Sequence, residues 1–114
     1  IMKQGDIAVI NHNELVFAPF VRSNQERYKV WGIRKYLLHK NKWIRFIAYP
    51  KTFVSSHHVI EYNASNHRLY FYSQQADGEQ ITVVDLKSRK FHKVSTNYPR
   101  RDLSLSPCIS NVNH

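Results

Sequence analysis

The chain has 114 residues, of which 42% are hydrophobic and 13% aromatic. This composition is sufficient for one folded domain and argues against a disordered chain. No stretch approaches the roughly 18 consecutive apolar residues that a membrane-spanning helix needs, and the first residues lack the apolar run of a signal peptide. The net charge of +9 allows attraction to phosphates, anionic lipids or acidic proteins, but the basic residues are spread along the chain and identify none of them.

Cysteine and histidine usage limits the chemistry that the chain can carry. Cys108 is the only cysteine, which excludes an internal disulfide and is typical of a reducing compartment, so we expect an intracellular, cytoplasmic protein. His57 and His58 are adjacent and would point to opposite faces of a strand, and no cysteine or carboxylate recurs at the spacing of metal ligands. The eight acidic residues are scattered and form no catalytic pair. The residues therefore predict no metal, no other cofactor and no enzymatic activity.

Short runs rich in β-branched and aromatic residues, separated by Asn, Ser, Gly, Pro and His, predict an all-β fold. Asn11-His12-Asn13, Asn63–Asn66 and Asp77-Gly78 are typical hairpin connections, because Asn and Gly tolerate the left-handed backbone of a tight turn. No window shows helical periodicity with good caps, so helix is the weaker prediction throughout and we expect sequential antiparallel strands. The predicted strands are 6–11, 14–20, 32–38, 42–47, 57–63, 67–74, 80–86 and 91–95, with a ninth that starts near 107.

The strands differ in how their polar residues are placed. Leu15–Phe17 and Leu69–Tyr72 are apolar without alternation, which favours central strands that are covered on both faces. Trp43–Phe46 and Phe91–Val94 carry charge among apolar residues, which favours outer strands with one wet side.

Unlike segments recur along the chain at nearly one spacing, which indicates an internal repeat of four strands per unit. The recurring segments are Asn41-Lys42-Trp43 with Arg89-Lys90-Phe91 at a spacing of 48, Tyr49-Pro50-Lys51 with Tyr98-Pro99-Arg100 at a spacing of 49, and Glu14–Phe17 with Arg68–Phe71 at a spacing of 54. Four antiparallel strands with a period near 50 residues are typical of a propeller blade.

The second unit resembles the kelch-repeat family. The likeness is carried by Leu69-Tyr70-Phe71, Val83-Val84-Asp85, Phe91 and Pro99-Arg100-Arg101, with Trp43 at the matching aromatic position of the first unit. The sequence departs from the family at Ser73-Gln74 and Pro19-Phe20, where kelch units carry a glycine pair.

The resemblance implies one partial, unclosed array over 1–114, with a blade at 6–47, a second at 57–95 and the start of a third at 107–114. Two blades cannot close a ring, so further blades of a longer chain are expected. A β-sandwich or a barrel is the alternative fold.

The resemblance also implies a protein that scaffolds or recruits another protein. In such a blade the long loops emerge at one end and the short turns at the other, and recognition usually uses long loops on a rigid scaffold. The predicted partner-binding residues are Arg22, Arg27, Tyr49, Tyr98, Arg100 and Arg101. For the two tyrosines the alternative is packing between units, and for Arg100 and Arg101 it is a solvated loop.

The short turns offer a second hypothesis, which is binding of nucleic acid or of an anionic lipid such as a phosphoinositide. The residues predicted for it are Lys40, Lys42, Arg68, Lys87, Arg89 and Lys90, and their alternative role is solubility. A part in an enzyme propeller, such as an oxidase, is the third hypothesis.

Overall fold

The protein is all-β, with two four-stranded antiparallel sheets in a computed structural model that describes residues 4–75 and 78–94. In both sheets the strands pair in chain order, as predicted. The first sheet contains β1 Gly5–Asn11, β2 Glu14–Pro19, β3 Ile33–Leu37 and β4 Lys42–Ile47. The second contains β5 His58–Asn63, β6 Arg68–Gln75, β7 Gly78–Asp85 and β8 Phe91–Val94. The predicted ninth strand and third unit at 107–114 lie outside the described residues.

Asparagine and backbone hydrogen bonds close the short turns. The Asn11 side-chain oxygen accepts from the Asn13 amide at 2.8 Å, and that of Asn63 accepts from the Ser65 amide at 2.9 Å. The first and third turns of each sheet are also joined to each other, because Leu38 donates its amide to the Asn13 carbonyl at 2.9 Å. In the second sheet Leu86 donates to the His67 carbonyl at 3.0 Å. We call this end of each sheet the turn end, and the opposite end, with segments 20–32 and 48–57, the loop end.

The loop end contains one short helix that the sequence patterns did not indicate. A six-residue helix, α1, spans Glu26–Trp31, and a single 3-10 turn spans Leu38–Lys40. No side chain caps the start of α1, so the helix depends on tertiary contacts. Gly32 ends it with a φ of 57°, and a Cβ there would lie 2.7 Å from the Ala48 Cα, so only glycine fits.

The two sheets pack face to face over one apolar cluster. Alternation along each strand gives every sheet a front and a back face. The back face of the first sheet contributes Val16, Ala18, Ile33 and Ile47 to the cluster. The front face of the second sheet contributes Ile60, Leu69, Phe71 and Val84, with Phe91 packed against them. The linker 48–57 adds Tyr49 and Phe53, which lie between the sheets.

Strands β4 and β8 lie at the outer edges, as their mixed composition predicts. The residues of β6 from Leu69 to Tyr72 are buried on both faces, which confirms the prediction of a central strand. On the back face of the second sheet, Tyr70, Tyr72, Ile81 and Val83 form a second buried cluster.

Candidate functional site

A cleft of about 350 Å³ opens at the loop end, where segment 20–32 faces the start of the chain and the linker 48–57. The backbone positions its walls, because Phe20 donates its amide to the Gln4 carbonyl at 2.9 Å. The Arg22 amide donates to the Gln25 side-chain oxygen at 2.8 Å, which fixes both residues on one side. The residues that line the cleft are Gln4, Phe20, Arg22, Gln25 and Ser56.

The cleft is polar and carries one cation. Arg22 is exposed and forms no ion pair within residues 4–75 and 78–94. Gln4, Gln25 and Ser56, which carry amide and hydroxyl groups, line the same cleft. A guanidinium with hydrogen-bonding neighbours can bind a carboxylate or a phosphate in a bidentate manner. The arrangement therefore fits an anionic group that enters from solvent.

The other predicted partner-binding residues do not join Arg22 in the cleft. Arg27 is exposed on α1, outside the cleft lining. Tyr98, Arg100 and Arg101 lie outside the described residues.

Tyr49 requires a correction, because it lies in the interior and not on a surface that a partner could contact. Its ring stacks on Phe53 with centroids 4.3 Å apart, and its hydroxyl donates to the Pro19 carbonyl at 2.8 Å. Burial raises the pKa of Tyr49 well above its usual value, although the charge of Arg34 acts against this. Of the two roles considered for Tyr49, packing between the units is the one that the structure shows.

The basic turn residues divide into two groups. Lys40, Lys42, Lys87 and Lys90 are exposed to solvent at the turn end. The other two already have partners in the protein. Arg68 pairs with Asp85 at 3.8 Å, and Arg89 donates from Nη1 to the Phe46 carbonyl at 3.0 Å. Four lysines therefore remain for a polyanion.

Asp85 organises the turn next to these lysines. Its Oδ1 accepts from the amides of Ser88 and Lys87 at 3.0 and 2.8 Å. These bonds hold the pKa of Asp85 below its usual value, since they favour the charged carboxylate. Asp85 is therefore a turn residue whose carboxylate accepts backbone N–H bonds.

His57 and His58 lie in different environments, although both rings contact Phe20. His57 is exposed, whereas His58 is buried between the sheets. His58 Nε2 lies 3.0 Å from the Ala18 carbonyl and must donate to it, so Nδ1 of the neutral ring accepts from the Ser55 hydroxyl at 2.7 Å. Burial lowers the pKa of His58 to about 4, which the bond to Ala18 opposes and the charge of His57 reinforces. Ser55 is itself buried, so a substrate cannot reach this pair as it would reach a catalytic serine.

Sequence reasoning missed the front face of the first sheet. There Ile7, Val9 and Trp43 are 48%, 67% and 38% exposed, and Trp31 of α1 beside them is 44% exposed. The guanidinium groups of Arg34 and Arg45 lie over the Trp31 ring at 5.4 and 4.9 Å from its centroid. The alternation of apolar residues through Ile7 and Val9 indicates an apolar face on β1. The sequence does not show whether this face or the opposite one is buried.

No protein-family model matches the chain, and comparison with curated proteins and with solved structures found no similar protein. Among residues 4–75 and 78–94, no helix is long and apolar enough to cross a membrane. In the same residues no three histidine, cysteine or acidic side chains come together as a metal site.

Proposed function

We propose that the chain is part of a kelch-like propeller array that binds another protein through the cleft at the loop end. The proposal includes an intracellular location and further four-stranded units in a longer polypeptide. The observation that carries it is Arg22, an exposed cation without an ion pair in the described residues, set among the hydrogen-bonding groups of the cleft. The ligand that this chemistry favours is an acidic side chain of the partner.

The rigidity of the cleft supports this choice. Val21 and Ser55 exchange backbone hydrogen bonds of 3.0 and 2.9 Å, which join segment 20–32 of the first sheet to the linker that leads to the second. Lys29 is buried in α1 and donates from Nζ to the Lys51 carbonyl at 2.8 Å, which fixes the helix to the same linker. A preorganised site loses less conformational entropy on binding than a loose loop.

Site-specific crosslinking followed by a charge reversal tests the proposal. A photoreactive amino acid at Ser56 should capture a protein from an extract of the source cells, whereas the same amino acid at Lys87 should not. With the captured protein purified, Arg22→Glu should weaken binding at least about tenfold, because a charge-assisted hydrogen bond is lost. The matched control Arg27→Glu makes the same charge change outside the cleft and should alter affinity less than about twofold. Equal affinity of the Arg22→Glu variant and the unmodified chain would refute the proposal.

Polyanion binding at the turn end is the second candidate. The observation that favours it is the set of four exposed lysines on the third turn of each sheet, and the hydrogen bonds from Leu38 to Asn13 and from Leu86 to His67 hold these turns in place. It ranks below protein binding because Arg68 and Arg89 are already engaged.

A further inference from the structure

A second cavity lies on the front face of the second sheet, between the linker 48–57 and strands β7 and β8. Its volume is about 190 Å³. Among the residues that line it are Pro50, Thr52 and Phe53 from the linker and Thr82, Phe91 and Lys93 from the sheet. We call it the β8 pocket. It shares no lining residue with the cleft around Arg22, so it is a separate site.

Packing between the sheets fixes the aromatic walls of the β8 pocket. The Phe53 and Phe91 rings have centroids 6.0 Å apart, and both pack against Tyr49, at 4.3 and 6.1 Å respectively. The linker turns at this point, because Phe53 donates its amide to the Pro50 carbonyl at 2.9 Å. Rings held in this way present a preformed apolar surface, which is the usual construction of a small-molecule site.

The volume of the β8 pocket limits the size of its ligand. An apolar cavity of about 150 Å³ holds one benzene molecule. The β8 pocket, at about 190 Å³, therefore has room for one six-membered ring with a short substituent. Because Pro50, Phe53 and Phe91 form apolar walls and aromatic rings pack favourably on one another, these walls favour an aromatic ring.

Polar groups on the sheet side of the pocket indicate an anionic substituent. Thr82 of β7 and Lys93 of β8 are directly paired across the two strands. Thr82 is 7% exposed, and its hydroxyl forms no hydrogen bond with residues 4–75 and 78–94. Lys93 is exposed and has no ion pair in those same residues. A hydroxyl and an ammonium group beside aromatic walls can together bind a carboxylate.

We propose that the β8 pocket binds a small aromatic carboxylate. The ring packs against Phe53 and Phe91, and the carboxylate accepts hydrogen bonds from the Thr82 hydroxyl and the Lys93 ammonium group. A free aromatic acid carries this chemistry, and so does the carboxyl terminus of a peptide that ends in phenylalanine or tyrosine. The proposal is independent of partner binding at the cleft and of the number of units in the array.

Titration of the isotope-labelled chain with phenylacetate, followed by two-dimensional NMR, tests the proposal. The amide signals of Thr82 and Phe91 should shift along a saturating curve. Phenylacetamide keeps the ring and loses the charge, whereas acetate keeps the charge and loses the ring. Each should bind at least about tenfold more weakly than phenylacetate, because each gives up one of the two contacts. Equal affinity for phenylacetate and phenylacetamide would overturn the proposal.

Substitutions in the β8 pocket locate the contacts. Lys93→Gln removes the ammonium group and should weaken phenylacetate binding about tenfold. Thr82→Val keeps the shape of the side chain, removes the hydroxyl and should weaken binding about threefold. Lys87→Gln is the matched control at an exposed lysine outside the pocket, and it should change the affinity less than about twofold. Unchanged affinity of the Lys93→Gln variant would refute the assignment.

Two further measurements separate the sources of the ligand and the two sites. Tighter binding of an acetylated tripeptide that ends in phenylalanine would identify a peptide terminus as the source, and tighter binding of phenylacetate would identify a free acid. Arg22→Glu should leave the affinity for phenylacetate unchanged. If Arg22→Glu abolished the binding and Lys93→Gln did not, the carboxylate would belong to the cleft and the proposal would be wrong. Failure at the β8 pocket and failure of partner binding at the cleft are therefore distinct results.

Discussion

At the scale of single residues, His58 is the side chain whose protonation the fold opposes most directly. It spans the sheets between the Ala18 carbonyl and the Ser55 hydroxyl, in a pocket where Phe20 and Phe71 contact its ring. The folded protein lowers the pKa of His58 from 6.5 to about 4, so the unfolded chain takes up the proton first as the pH falls. The stabilisation is complete above pH 6.5 and is lost between pH 6.5 and about 4.

The first prediction concerns this pH window. The free energy of unfolding should fall by roughly 3 kcal/mol between pH 7 and pH 4 through His58 alone, since each pKa unit is worth about 1.4 kcal/mol. Urea denaturation at both pH values measures the loss. His58→Phe should remove this part of the pH dependence, whereas His57→Gln, at the exposed neighbour, should retain it. The same pH dependence in the His58→Phe variant would show that other groups cause it.

At the scale of secondary-structure elements, the strands could be predicted and α1 could not. Asparagine turns join β1 to β2 and β5 to β6, and their hydrogen bonds connect residues two positions apart. A short stretch of sequence is therefore enough to predict these hairpins. The helix has no such signal. It is six residues long, lacks a capping side chain, and is held by the Tyr49 amide, which donates to the Lys29 carbonyl at 2.9 Å. That bond joins residues 20 positions apart, so the periodicity of a short sequence window cannot predict it.

The prediction at this scale is that Lys29 is the main attachment of α1. Lys29→Met keeps the apolar stem but leaves the Lys51 carbonyl without its donor, which should cost about 1–3 kcal/mol in the free energy of unfolding. Hydrogen exchange at the Tyr49 amide should accelerate, because this amide is protected only while α1 is in place.

The control for that prediction is Glu26→Gln. It removes the ion pair of 3.5 Å between Lys29 and the exposed carboxylate of Glu26. A surface pair of this kind contributes about 0–1 kcal/mol, so stability should change little. If Lys29→Met proved as mild as the control, the helix would be held by other contacts.

At the scale of the whole molecule, the pairing of strands was predictable and the packing of sheets was not. The repeat of 48 to 49 residues gave two equivalent units, and the composition of β4 and β8 placed them outside. The burial of Tyr49 depends on where the linker crosses between the sheets, which no spacing specifies. The cleft around Arg22 likewise joins segment 20–32 to Gln4 and Ser56, which are distant in sequence. Arg22 was predicted to bind a partner because it lies in a long loop. Which residues line the cleft beside it depends on the packing and could not be predicted.

The prediction at this scale concerns the net charge. Any affinity for a uridine 20-mer should reside in the four exposed lysines at the turn end, so the logarithm of the affinity should fall with the logarithm of the salt concentration with a slope of about −3. Replacement of Lys40, Lys42, Lys87 and Lys90 by Gln should abolish the binding in fluorescence anisotropy. The Arg22→Glu variant should bind the RNA nearly as well as the unmodified chain. RNA binding that survives the fourfold replacement would place a nucleic-acid site elsewhere.

The outer strands limit how such a protein can grow. Exposed charged or polar side chains lie on the edge strands β4 and β8, namely Lys42 and Arg45 on β4 and His92 and Lys93 on β8. Charged side chains on a sheet edge discourage a foreign strand from pairing there. The β4 and β8 edges therefore resist the sideways strand addition that leads to fibrils.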